Sequence, residues 1–251
     1  MDWSGSFLDS NIFYLVVAGM FLGERITSRI LLSVLRRRVG LFKKRVSWRM
    51  GLGGQFSMVI FSLAVVGLLG WKEQFGLTLK NLDQSLWLIL TAGFPFAALF
   101  AVGAFIFMRK SGEGKRSISH PDWMEAHSDR VGQLLYNFSM NGLGEEMFFR
   151  GLIQGYLSIN MTGFILLGSF PLLYSTLLAS VIFILIHLEN VKLGFQTMSE
   201  YLFMLPYLTI VTLILAITFQ MTGSLVAPVV IHNVSNGFLS VAAIKATKRI
   251  V

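Results

Sequence analysis

Apolar runs long enough to cross a bilayer as helices recur along this chain, at residues 52–70, 86–108, 161–188, 201–219 and 225–244, and they confine it to one kind of architecture. In hydrocarbon every backbone N–H and C=O must find a partner within the protein, so only helices and closed barrels span a membrane. Runs near 20 apolar residues select helices, since barrel strands read as alternating segments of about ten. Shorter or more polar stretches at 11–23 and 131–157 bring the expected count to seven spans, or to eight if the first segment or the region around Pro171 behaves differently. The expected fold is an all-α, polytopic transmembrane helical bundle of about seven to eight spans. Charged residues are 14% of the 251, against about 25% in an ordinary soluble domain, and mean hydropathy is +0.67, which leaves no room for a separate soluble domain.

The connecting segments set the expected topology. Trp48 and Trp71 bracket the run at 52–70 and Trp87 opens the next, as aromatic belts do at the membrane surfaces. Pro95 is expected to kink its span, and Pro171 to break residues 161–188 into a broken helix or two short ones. Arg25, Arg29, Arg36, Arg37, Arg38, Lys43, Lys44, Arg45 and Arg49 crowd a loop at 25–49 with no acidic residue among these positions, the pattern of a cytoplasmic segment that can also meet anionic lipid. The net charge of +8 is therefore read as topology, with no nucleic-acid partner. Lys245, Lys248 and Arg249 place the C-terminus on the same side, and seven spans then put the N-terminus outside, in a multi-pass protein of the cell membrane. No basic leader or small-residue cleavage site surrounds the first apolar run, so a removable signal peptide is not expected. The polar loop at 109–130 divides residues 1–129, the N-terminal spans, from residues 130–245, the polar-bearing core, the two packing as one domain. His120 and His127 sit in that loop beside Asp122, Glu125 and Asp129, and a solvated surface is expected for them. There is no cysteine, which excludes disulfides, thiolate metal sites and cysteine nucleophiles.

The core contains side chains that hydrocarbon disfavours. Glu145, Glu146 and Arg150 lie in GLGEEMFFRG, His187 in VIFILIHL, and His232 with Asn236 in VVIHNVSN. A charge at bilayer depth costs about 2.5–3.5 kcal/mol on insertion scales, so each marks a candidate functional position. On a helix Glu146 and Arg150 face one another at i, i+4, with the glutamate on the favourable N-terminal side. Glu145 is turned about 100° away and has no such partner, which leaves it to face a cavity as a general base. An ion network that only holds helices together fits this motif equally well. His187 alone reads as a hydrogen bond to a neighbouring helix, and His232 and Asn236, again four apart, read alone as interhelical polar contacts. Together the three sites supply a base, a second imidazole and hydrogen-bond donors, the parts that activate water and stabilise a tetrahedral oxyanion. Gly142, Gly144, Gly151 and Gly155 flank the glutamates and are expected to serve close packing, with no phosphate-binding pattern around them.

Glu145-Glu146-x-x-x-Arg150, Phe183-x-x-x-His187 and His232-x-x-x-Asn236, in that order on successive helices, resemble the CAAX protease and bacteriocin-processing (CPBP, or Abi) family, whose best-known members are type II CAAX prenyl endopeptidases. The resemblance spans residues 130–244, and the N-terminal spans look generic. It implies an intramembrane endopeptidase acting on a membrane-associated or lipidated, CAAX-like substrate, with a cavity open to the cytoplasmic side and the lipid. By that analogy Glu145 activates water, His187 assists, His232 and Asn236 support the oxyanion, and Glu146 with Arg150 hold the catalytic helix.

Two histidines and a carboxylate are also a zinc ligand set, here Glu145, His187 and His232. The HExxH spacing is absent, and a zinc-bound Glu145 would leave Glu146 both to act as base and to pair with Arg150. The expectation is a metal-independent glutamate mechanism with no cofactor, resting partly on the resemblance. The competing function is a non-enzymatic scaffold or regulator, or a proton-coupled carrier using the same glutamates and histidines as a relay. Paired broken helices in two halves, a mark of inverted-repeat transporters, are missing. Expected partners are the bilayer and a membrane peptide or protein, prenylated or not; oligomeric state is left open by glycine spacings that can serve one chain internally.

Overall fold

The structure, a computed structural model, describes residues 10–39, 47–110, 127–192 and 196–247. Lys43, Lys44, Arg45, His120, Asp122, Glu125, Lys248 and Arg249 lie outside the described residues. The chain is helical as expected: α1 Ser10–Arg38, α2 Ser47–Leu69, α3 Leu82–Leu88, α4 Phe94–Lys110, α5 His127–Ser139, α6 Asn141–Glu146, α7 Gly155–Asn160, α8 Tyr174–Ile186, α9 Leu188–Lys192, α10 Met198–Thr222 and α11 Val226–Thr247. Wider π-helical turns, Ile89–Gly93 and Met147–Gln154, join α3 to α4 and α6 to α7.

Among the described residues five helical stretches are long and apolar enough to cross a membrane: Trp48–Leu69, Leu82–Arg109, Tyr174–Lys192, Met198–Thr222 and Val226–Ala246. This is fewer than the seven to eight expected. Residues 11–23 belong to α1, which runs on through Glu24, Arg25 and Arg29 and so carries charge along its middle. Residues 131–157 are broken at Met140, between α5 and α6, and are polar enough to fail on composition. Residues 161–188 form neither a broken helix nor two short ones. Phe164–Leu167 and Phe170–Leu173 pair as an antiparallel hairpin, with Gly168 at φ 63 in its turn, and only then does α8 begin. Pro171 opposes Leu166 in that hairpin, an edge position that needs no proline N–H.

Two further expectations are corrected. The basic segment 25–49 is not simply a loop: Arg25, Arg29 and Arg36–Arg38 lie on α1 and Arg49 on α2. His127 and Asp129 open α5, and Asp129 is buried, accepting from Trp48 Nε1 at 3.3 Å and from Arg49 Nη2 at 3.0 Å. Its carboxylate therefore ties α5 to α2 and is not solvated. At Pro95 the helix stays continuous. A π turn, Ile89–Gly93, lies immediately before it, a widening of the ladder of the kind that accommodates a proline.

The core gathers around the second π turn. Phe148, Leu152, Ile153 and Leu157 pack with Phe75, Phe183 and Leu208. The turn after α2 is pinned beneath it: Leu225 N–H donates to Gly76 O at 3.0 Å, Ser224 Oγ to Thr78 O at 2.7 Å, and Asn81 Nδ2 to Thr222 O at 2.9 Å. α10 is set by a capping box, Thr197 with Glu200, and ends at Gly223, whose φ of 61 needs a glycine.

Candidate functional site

Glu145 and Glu146 are the last two residues of α6, immediately before the π turn, and the helix turns them to different surroundings. Glu146 and Arg150 are fully buried: Arg150 Nε donates to Glu146 Oε2 at 3.0 Å, and the i, i+4 pair survives the π turn. Arg150 Nη2 also donates to Thr212 Oγ1 of α10 at 2.7 Å, and the guanidinium lies 5.2 Å from the centre of the Phe183 ring of α8. The pair thus clamps the polar-bearing helix to two neighbours. The other oxygen of Glu146 meets His232 Nδ1 of α11 at 2.7 Å.

Glu145 keeps 21% of its side chain exposed and lines a cavity of about 230 Å³ with His187, His232 and Asn236. The four residues expected to do chemistry therefore share one space, which Asn141, Tyr207 and Leu215 help to enclose. His232 Nε2 stands 3.8 Å from Glu145 Oε2. His187 is not in mid-helix: it ends α8 where the chain breaks before α9, and its Nδ1 lies 2.8 Å from Phe183 O. A carbonyl only accepts, so Nδ1 carries the proton and Nε2 of the neutral ring is left as an acceptor. The Asn236 side chain makes no hydrogen bond to another described residue and lines the cavity.

Several contributors were not legible as motifs. Asn233 Oδ1 accepts Gly142 N–H at 2.6 Å and its Nδ2 donates to Ser139 O at 3.1 Å, docking the start of α6 on α11. Tyr136 donates to Asn141 Oδ1 at 2.7 Å. Gln55, on a span that looked generic, bonds both the side chain and the backbone of Glu145. The available signal was an amide inside an apolar run, a polar group that must find a partner there.

The glycines do serve close packing. A Cβ at Gly142 would lie 2.7 Å from His232 Cβ, and one at Gly144 2.5 Å from Gln55 O, while Gly151 and Gly155 face Phe75 and Gln74 O of the pinned turn. Backbone cannot yield as a side-chain tip can. Gly144→Ala is therefore expected to cost about 1–3 kcal/mol through overpacking, read as a lower melting temperature in detergent.

The arrangement holds a partly exposed carboxylate, an acceptor imidazole, a second imidazole anchored by a buried carboxylate, and a carboxamide around one cavity. Among the described residues no group of three or more His, Asp or Glu side chains that could hold a metal ion is found. His232 Nδ1 and His187 Nδ1 are both directed to protein oxygens. No curated protein and no solved structure matches the chain. A protein-family model does match, over the segment that runs from the start of α5 to just past Asn236 and includes Glu145, Glu146, Arg150, His187 and His232. The match covers residues 127–238, and the family it places this segment beside is described as type II CAAX prenyl endopeptidase Rce1-like.

Proposed function

We propose that this protein is an intramembrane endopeptidase that hydrolyses a peptide bond of a membrane-associated, CAAX-like substrate by a glutamate mechanism. The observation that carries the reading is the meeting of Glu145, His187, His232 and Asn236 around one cavity within the Rce1-like segment. Glu145 takes a proton from water, and the resulting hydroxide attacks the scissile carbonyl. His187, with Nε2 free to accept, shares that proton and passes it to the departing amine. His232 and Asn236 stabilise the oxyanion. With Nδ1–H given to Glu146, His232 donates from Nε2 when the ring carries its second proton, and the Asn236 amide donates in any state. Glu146 and Arg150 position the helix and the His232 ring without touching substrate. No step is routed through a metal.

The apolar lining contributed by Phe183, Met204, Leu208, Val211 and Leu239 suits a lipid-borne or apolar peptide better than a polar one. The reading is tested by incubating the detergent-purified protein with matched farnesylated and unprenylated CAAX-type peptides and identifying products by mass spectrometry. Release of the residues after the prenylated cysteine is the expected result, unaffected by a zinc chelator. Equal cleavage of both peptides would remove prenylation from the substrate requirement, and chelator-sensitive cleavage would overturn the metal-free mechanism. A scaffold or a proton-coupled carrier would bind such a peptide, or move protons, without cleaving it.

A further inference from the structure

Gln55 lies on α2, outside the Rce1-like segment, and holds Glu145 at two points. Its Nε2 donates to Glu145 Oε1 at 3.1 Å and its Oε1 accepts Glu145 N–H at 3.0 Å. The backbone N–H can only donate, so it fixes which end of the amide is oxygen and turns the NH₂ group to the carboxylate. Gln55 is 3% exposed, and its backbone sits against Gly144, where a Cβ would come within 2.5 Å of its carbonyl oxygen. The amide is thus enclosed, with its helix in close contact with α6 at this point.

We infer that Gln55 is a positioning residue for Glu145: by engaging Oε1 it leaves Oε2 as the oxygen presented toward His232 and the cavity. This rests on the reading of Glu145 as the base. It extends the working unit beyond residues 127–238, because one of the side chains that orient the base belongs to an N-terminal span. Glutamine is also the residue the position demands. A glutamate would set two carboxyl groups against each other, and an apolar side chain would leave Oε1 and the Glu145 N–H without this partner.

The test uses the full chain in detergent with a farnesylated, internally quenched CAAX-type peptide as probe. Gln55→Met is expected to lower kcat about tenfold to a hundredfold, the weight of a hydrogen bond to a charged group, with KM changed by less than about twofold. Gln55→Glu is isosteric with the native side chain and keeps the test open if the methionine variant does not fold. In it, dicyclohexylcarbodiimide, which attacks protonated carboxyls, is expected to label the carboxyl pair at positions 55 and 145 up to a higher pH than it labels Glu145 in wild type, because the two carboxyls share one proton. The other titratable groups around Glu145 are Tyr136 of α5, His232 of α11, Glu146 and Arg150 on its own helix and His187 across the cavity, and all are unchanged in these variants. Labelling needs no turnover and therefore decides the point even if the probe is not a substrate. A labelling profile identical to wild type overturns the inference, as does an unchanged kcat in Gln55→Met. Full activity in Glu145→Gln instead overturns the base assignment and leaves the labelling result to judge Gln55 by itself.

Discussion

Glu145→Gln is expected to fold and assemble like the native chain and to lose about 10²–10⁴-fold in kcat, the span a positioned general base contributes. The substitution keeps the shape of the side chain and its acceptor oxygen, so the bond from Gln55 Nε2 can persist. The backbone bond from Glu145 N–H to Gln55 Oε1 is untouched. What disappears is the ability to take a proton from water. Because the side chain is partly exposed in the cavity and does not pair with Arg150, no buried ion network collapses with it. An unchanged melting temperature beside a lost kcat separates this catalytic role from a structural one, and full activity would assign the base elsewhere.

Arg150→Met is expected to have the opposite signature, a large loss of stability. The guanidinium is fully buried and bonded to Glu146 and Thr212, so its removal leaves a carboxylate inside the bundle without its cation. Breaking one side of a buried pair costs about 3–5 kcal/mol, which for a chain of this length lowers the melting temperature by on the order of 10 °C. The double variant Glu146→Gln/Arg150→Met should regain most of that loss, since no unpaired charge remains. It should stay impaired in cleavage, because His232 Nδ1 no longer faces a carboxylate. Recovery of full activity in the double variant would show that the Glu146–His232 bond does not serve catalysis.

The polar motifs were legible because hydrocarbon makes each of them expensive. Glu145, Glu146, Arg150, His187, His232 and Asn236 stand out against apolar neighbours, and helical periodicity alone paired Glu146 with Arg150 and left Glu145 apart. Periodicity could not see the π turn at Met147–Gln154, since no residue in MFFRGLIQ demands the wider turn. The hairpin at 164–173 was hidden for a different reason. FILL and FPLL are as apolar as a buried helix; Pro171 signals a break there, and Gly163 and Gly168, both at positive φ, hint at a turn, but neither signal specifies strands. Span counting overshot where length was judged without charge, as in α1, and where a polar stretch was taken as continuous, as at Met140. Asp129 looked like a surface residue because its partners, Trp48 and Arg49, are about 80 positions away in the chain. Gln55 was missed on the same account: its importance lies in what it touches, and contacts across the bundle leave no mark in the spacing of a single helix.

The most direct test of the central claim is product analysis in H₂¹⁸O, with wild type and Glu145→Gln incubated in parallel with the farnesylated CAAX-type peptide. Wild type alone should release the C-terminal fragment and leave one ¹⁸O in the new carboxyl group of the prenylated product, as hydrolysis by glutamate-activated water requires. Equal cleavage and labelling by the two proteins would contradict the account, because water would then be activated without Glu145.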